Sequence, residues 1–451
     1  MSADLLTEFV ANIKARGLLE TGDKVLAAVS SGPDSMALLH LLWRAQVAPI
    51  GVFHLNHQLR PEAEQEAEFV DAYVRQLGLP VYVYAHDVAH YAAVNRMSVE
   101  TAAREVRYRL LRECMEKHGY TKIALGHHKD DQAETVLLHL IRGSGLPGLA
   151  GMKPRRDCFI RPLLPFTKAQ ILEYCRTFEL AYHQDRTNFS PEYERNRLRL
   201  ELIPLIESEY NPQFRSNLVQ LAEIVSAEDQ ELAHQVQQLL PGLVYRKYGV
   251  PHLKRAEFGC LSLAFQRRVL QSIIAEARQS AQWAPFEQIE TLRELILHND
   301  SFTYPMPLLT VTGEANTIVF GRPEIPDWEP GILPVPGSVA AGVYQIRTEV
   351  ARKGKEHTFS GEGEDFALDQ LRLPLIYRKR KPGDVMQVFG QTGKKKVKDL
   401  MIDAKIPRYL RDHLPIICDQ EDVLWVCGVR RSEKGRVTPD TDEILRIILE
   451  A

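Results

Sequence analysis

Apolar and polar positions in the first two hundred residues switch repeatedly between two periods. Residues 25–29 (VLAAV) form a short, partly β-branched apolar run, which predicts a buried strand. The chain then breaks at small residues and a proline, and apolar residues resume at Met36, Leu38, Leu39 and Leu42, the spacing of a helix face. The same reading predicts a second strand over 49–55, a helix from about 62 to 77 and a third strand over 81–85 between Pro80 and Asp87. Ser98 is placed to cap a long helix running to Lys117, residues 122–125 read as a fourth strand, and a further helix ends near Arg142. Strands alternating with helices predict an α/β fold with a doubly wound parallel sheet. Ligands of such sheets bind beyond the carboxyl ends of the strands, so the loops at Ser30, His54 and Gly126 are expected to converge on one edge.

The pattern changes after residue 200. Residues 201–298 are rich in helical spacing (Leu218, Leu221, Ile224, Val225), and 301–320 turn β-like. Five prolines (323, 326, 330, 334, 336) mark an extended edge, and short β-branched runs recur from Gly342 onward. The expected organisation is a catalytic domain over 1–200, a mainly helical middle domain over 201–330 and a β-rich domain over 331–451.

At 451 residues the chain is too long for one core. The opening residues look like an amphipathic helix containing acids, so neither export nor a membrane span is expected. The six cysteines include no C-x-x-C pair, which points to a reduced, cytoplasmic protein without a cysteine-based zinc or iron–sulfur site. The net charge of −3 hides an asymmetry: between Ile376 and Arg411 stand eleven Lys and Arg against three Asp. A basic segment on an otherwise acidic chain is an electrostatic footprint for a polyanion, and Lys394, Lys395, Lys396 and Lys398 lie within it.

The candidate chemistry begins at Ser30, Ser31, Gly32, Pro33, Asp34 and Ser35. A strand, a small-residue turn and a helix make an anion site, because the first helical turn has unpartnered N–H groups and a partial positive charge. The hydroxyls of Ser30, Ser31 and Ser35 add donors, while Asp34 either caps the helix or holds a cation such as Mg²⁺. No lysine precedes the serine, so this is not a Walker A loop, and a pyrophosphate leaving group fits better than γ-phosphoryl transfer. Asp130, Asp131 and Glu134 cluster on the first turns of a helix after the fourth strand, suited to Mg²⁺ on a polyphosphate or to an amine. His127 and His128 are read as hydrogen-bonding scaffold rather than metal ligands. Glu100, Arg104, Arg107 and Leu111 share a stripe of the long helix. Residues 143–148 satisfy G-x-G-x-x-G but follow a helix and contain Pro147, so they read as a flexible glycine-rich loop and not a dinucleotide fingerprint.

The loop resembles the PP-loop of N-type ATP pyrophosphatases, written S-G-G-x-D-S, with Ser31 standing where the first glycine usually is. Further blocks follow in order: His54 to Arg60; Glu100, Arg104, Arg107 and Tyr108; Gly126-His127-His128 with Asp130, Asp131 and Glu134; Arg161-Pro162-Leu163-Leu164; Asp185, Thr187 and Asn188; and Arg195-Asn196. Together they resemble the tRNA(Ile)-lysidine synthase family, as do Arg378 to Gly383 and Lys394 to Lys396 in the tail. The resemblance implies an ATP- and Mg²⁺-dependent ligase that adenylates the wobble cytidine of a tRNA(Ile) bearing a CAU anticodon. Free L-lysine then displaces AMP at C2. It implies residues 30–35 on the phosphates, Asp34 and Asp130 directing metal, and Asp131 and Glu134 positioning metal or the lysine ammonium. Arg104 and Arg107 offset adenylate charge, Arg195, Arg199 and the lysine cluster meet the tRNA, and a homodimer is expected. Two other readings stay open: a different PP-loop tRNA-modifying enzyme such as a thiolase, though no close cysteine pair is present to carry sulfur, and a non-catalytic nucleotide- or RNA-binding scaffold.

Overall fold

The computed structural model describes residues 4–59, 62–183, 194–280, 282–352 and 363–450. Arg60, Asp185, Thr187 and Asn188 lie outside them. The chain divides into two compact units, residues 1–232 and 233–451.

The first unit runs α1 (Asp4–Ala15), β1 (Val25–Ala28), α2 (Pro33–Ala45), β2 (Ile50–Asn56), α3 (Glu62–Gln76), β3 (Val81–Ala85), α4 (Val88–Asn95), α5 (Val99–His118), β4 (Lys122–Ala124) and α6 (Lys129–Ile141). It continues through α7 (Leu146–Leu149), the hairpin β5 (Arg155–Arg156) and β6 (Phe159–Ile160), α8 (Lys168–Thr177), α9 (Glu194–Arg197), a π-turn at Leu198–Leu202 and α10 (Ile203–Glu209). The division from the second unit falls inside α11 (Phe214–Leu243).

The sheet order is β3-β2-β1-β4-β6-β5, parallel except for the β5/β6 hairpin. This is the predicted doubly wound sheet. Its strand order reverses direction between β1 and β4, where the crevice of such folds opens. β1 is buried because it is central and flanked on both sides, and α2 is buried from Ser35 to Leu42, as expected of a helix apolar around most of its circumference. Gly51 is required by contact: a Cβ there would lie 1.9 Å from Tyr120 Oη. Ser98 accepts from the Thr101 N–H and caps α5 as predicted.

In the second unit, helices Leu263–Ala277 and Phe286–His298 bury Val269, Leu270, Ile273, Leu292 and Ile296 with Val311, Ile318 and Phe320 of a five-stranded antiparallel sheet formed from residues 244–320. A five-stranded and a four-stranded sheet follow, sharing a core with Trp328, Ile346, Phe366, Leu375, Trp425 and Leu445.

The helical middle region also carries a sheet, which includes the stretch read as β-like at 301–320, and the two compact units part at 232/233. Strands Val244–Lys247 and Val250–Lys254 escaped notice because both are short, the first is mostly exposed and the second carries Pro251. The glycine-rich segment also contains a helical turn, Leu146–Leu149, with Pro147 tolerated in its first turn, where a missing N–H costs nothing.

Candidate active site

The loop leaving β1 is tightened by its own serines. Ser35 Oγ accepts from the Ser30 N–H at 3.0 Å and donates to the Gly32 carbonyl at 2.9 Å. Gly32 is the N-cap of α2, Pro33 opens the helix, and Asp34 lies in its first turn. Ser31 adopts φ +64, the left-handed region that favours glycine, which accounts physically for the glycine that usually stands there. Its carbonyl accepts from the His183 N–H.

The loop leaving β4 comes against this turn. A Cβ on Gly126 would meet Asp34 C at 3.3 Å and Ser35 N at 3.4 Å, so any larger residue would crowd the turn by a few tenths of an ångström. Residues 30–35 therefore share with His54, His57, Arg107, Gly126, His127 and His183 the wall of a cavity of about 410 Å³. The convergence of the Ser30, His54 and Gly126 loops is as predicted from strand order.

α6 carries the carboxylates. His128 is its N-cap in a reciprocal box: its ring accepts from the Asp131 N–H, and Asp131 Oδ2 accepts from the His128 N–H at 3.0 Å. This is the scaffold role read for it. Asp131 and Glu134 are both buried. Arg195 Nε donates to Glu134 Oε2 at 2.9 Å. Arg199 donates to Glu134 Oε1 at 2.5 Å and Oε2 at 2.8 Å, and to Asp131 Oδ1 at 3.0 Å. Burial alone would raise the Asp131 carboxyl; the Arg195 guanidinium and the His128 N–H, among its neighbours, outweigh it and hold the group down at about 2. Burial likewise opposes the charge of Arg199, and Glu134 more than offsets it, so the guanidinium stays charged.

Asp130 sits apart from this pair. Its Oδ2 accepts from the Lys168 backbone N–H and its Oδ1 from Arg215 at 2.9 Å. The ammonium of Lys168 meanwhile lies 2.6 and 2.7 Å from the two oxygens of Asp34. Arg104 is exposed and stacks over Tyr108 at 4.8 Å. Arg107 is half-buried on the cavity wall, and its Nε and the Nδ1 of His127 are buried with no hydrogen-bond partner among the described residues. Burial pushes His127 down to about 3, so the ring is neutral.

The site thus joins residues 30–35, Arg107 and the start of α6, while Arg195 and Arg199, expected on RNA, lie on Asp131 and Glu134. Sequence reasoning missed Lys168 and Arg215. The Thr167/Gln170 capping box beginning α8 was the signal available for Lys168. As to Mg²⁺, no group of three or more His, Cys, Asp or Glu among the described residues is arranged to hold a metal. Asp34 on the cavity wall does fit a cation shared with phosphates, which needs only one or two carboxylates.

Lys394–Lys396 form a short strand paired with Val385–Gln387, and Lys395 is paired with Asp403. Lys398 lines a separate hollow of about 560 Å³ with Arg380, Lys405, Arg408 and Arg411.

Residues 3–206 match the PP-loop domain family and residues 375–448 the TilS substrate C-terminal domain. The chain is 33% identical to a tRNA(Ile)-lysidine synthase of Dehalococcoides mccartyi, over 98% of this chain and 99% of that protein. It belongs to the tRNA(Ile)-lysidine synthase family. A tRNA(Ile)-lysidine synthase of Symbiobacterium thermophilum is also 33% identical, over 98% of this chain and 97% of that protein. A bifunctional TilS/HprT protein of Listeria monocytogenes is 35% identical over 94% of this chain and 67% of its own length. The protein is accordingly a ligase of the lysidine synthase type, binds ATP through its PP-loop domain and acts on tRNA. No described helix is long and apolar enough to cross a membrane.

Proposed function

We propose that this chain joins free L-lysine to C2 of the wobble cytidine of the tRNA(Ile) bearing a CAU anticodon, by way of an adenylated cytidine, releasing pyrophosphate and AMP. The observation that carries the proposal is the contact of Gly126 with Asp34, which sets the phosphate-type loop beside the acidic start of α6 at the reversal point of the sheet.

In this reading residues 30–35 bind the nucleotide's phosphates through N–H groups at the start of α2. Arg107, with an unpaired Nε on the cavity wall, offsets adenylate charge, assisted by Arg104. Asp34 and Asp130 orient Mg²⁺, which when bound neutralises phosphate charge. Asp131, held ionised, and the buried carboxyl group of Glu134 attract the lysine ammonium. The amine nitrogen forms the bond to C2, its proton passes to an adjacent acceptor, and the C2–O bond to AMP breaks. Lys394, Lys395, Lys396 and Lys398 give phosphate contacts to the tRNA, as Arg195 and Arg199 do if they leave the acids. Cys175 sits beneath the loop near the Pro33 carbonyl, and burial pushes its thiol up to about 11, which disfavours sulfur transfer there. The cytoplasm and a homodimer complete the proposal.

The test is incorporation of radiolabelled lysine into total tRNA with ATP, followed by identification of the modified nucleoside. Lysidine in one isoleucine tRNA is expected. Label in no tRNA, or AMP release triggered by a sulfur donor instead, would overturn the reading.

A further inference from the structure

The phosphate loop holds one carboxylate and no lysine. A carboxylate at the mouth of a phosphate site repels its ligand unless a cation stands against it. α8 brings that cation from 134 residues away. Lys168 Nζ bridges Asp34 Oδ1 and Oδ2 at 2.6 and 2.7 Å, with His128 Nε2 3.7 Å from the former oxygen. The root of Lys168 is pinned, because its backbone N–H donates to Asp130 and Thr167 caps the helix it begins. Its side chain keeps about a third of its exposure, so the ammonium is not sealed against Asp34. Arg195 and Arg199 are engaged on Asp131 and Glu134 and Arg215 on Asp130, while Arg107 stands on the wall of the same cavity. Among the described residues Lys168 is the cation that touches the phosphate loop itself.

We infer that Lys168 is the phosphate-directed cation of this site, delivered by α8 in place of the lysine that the loop's own sequence lacks. Its stem pivots about a fixed backbone, and its ammonium serves Asp34 and the nucleotide's β- and γ-phosphates in turn. The inference rests on ATP binding by the PP-loop domain and not on the identity of the amine or the RNA.

The test is calorimetric binding of inorganic pyrophosphate, ATP and adenosine to the full chain in EDTA, comparing wild type, Asp34→Asn, Lys168→Met and the double variant. Lys168→Met is expected to weaken pyrophosphate and ATP at least about tenfold and adenosine less than about twofold, as loss of one charged contact to phosphate should. Asp34→Asn frees the ammonium and is expected to tighten pyrophosphate. The double variant leaves no unpaired charge, so it keeps its fold, and it is expected to lose that gain. If the double variant binds pyrophosphate as tightly as Asp34→Asn, Lys168 only neutralises Asp34 and the inference fails. Equal weakening of adenosine and ATP by Lys168→Met overturns it as well.

Discussion

The guanidinium of Arg199 closes on both oxygens of the buried Glu134 carboxylate and reaches Asp131 with the same nitrogen that meets Oε2. A fork-to-fork pair of this kind joins α6 to the π-turn Leu198–Leu202 and fixes where the acids point. Glu134→Gln leaves Arg195 and Arg199 facing a neutral amide. The expected loss is about 2–3 kcal/mol of unfolding free energy, less than for a sealed pair because each arginine keeps about a third of its exposure. Urea denaturation measures it, and Arg199→Ala with the double variant gives the coupling.

Asp131→Asn keeps the shape of the His128 box but removes charge where the amine is proposed to bind. Retained tRNA affinity with loss of lysidine formation is expected. Turnover at the wild-type rate would remove Asp131 from the chemistry.

Neutralising Lys394, Lys396 and Lys398 together is expected to weaken tRNA binding and flatten its dependence on salt, by about 0.7–0.9 in the log–log slope for each lysine that meets a phosphate. Filter binding from low to high salt reads both. Wild-type affinity at every salt concentration would place the RNA elsewhere.

Ser31 holds a left-handed backbone that glycine adopts without strain. Ser31→Gly is expected to raise stability by about 0.5–1 kcal/mol, the relief of the αL penalty less the added chain entropy of glycine. Thermal unfolding measures the gain, and a lowered melting temperature would show that the Ser31 side chain itself holds the loop.

His127 is held neutral by burial, with its folded value near 3 against an ordinary 6.5. The unfolded chain therefore binds an extra proton between those values. The stability conferred by a neutral His127 is complete above pH 6.5 and is lost as pH falls through 6.5 toward 3. His40, lowered to about 4 by burial and bonded to Tyr174 Oη, acts in the same direction over a narrower window. His127→Gln is expected to flatten the stability–pH curve in that range. An unchanged slope in denaturant titrations would mean that the ring is protonated in the folded protein.

Much of the first unit was legible without coordinates. The apolar run at 25–29 declares a strand because consecutive apolar residues suit a sheet covered on both faces, and 81–85 declares one by its β-branched and aromatic residues although it lies at the half-exposed edge. Ser98 announces its helix by the chemistry of its side chain. The acids of α6 were legible as a group because three and four residues separate neighbours on one helix face. The two strands at 244–254 were not, since each is short, the first is mostly exposed and the second carries Pro251.

What the sequence determined by itself is local: the strands of the first unit, the small-residue turn that opens a helix at Pro33, and the carboxylates that share a helix face. Each depends on residues within a few positions of one another, where backbone geometry alone sets the neighbours. Tertiary structure alone decided the partners. Lys168 reaches Asp34 across 134 residues, Arg199 reaches Glu134 across 65, and Arg215 reaches Asp130 across 85. No period in the chain encodes those distances; they follow from how α8 packs on α2 and how the π-turn and α11 pack on α6, and that packing sets the charge each carboxylate meets.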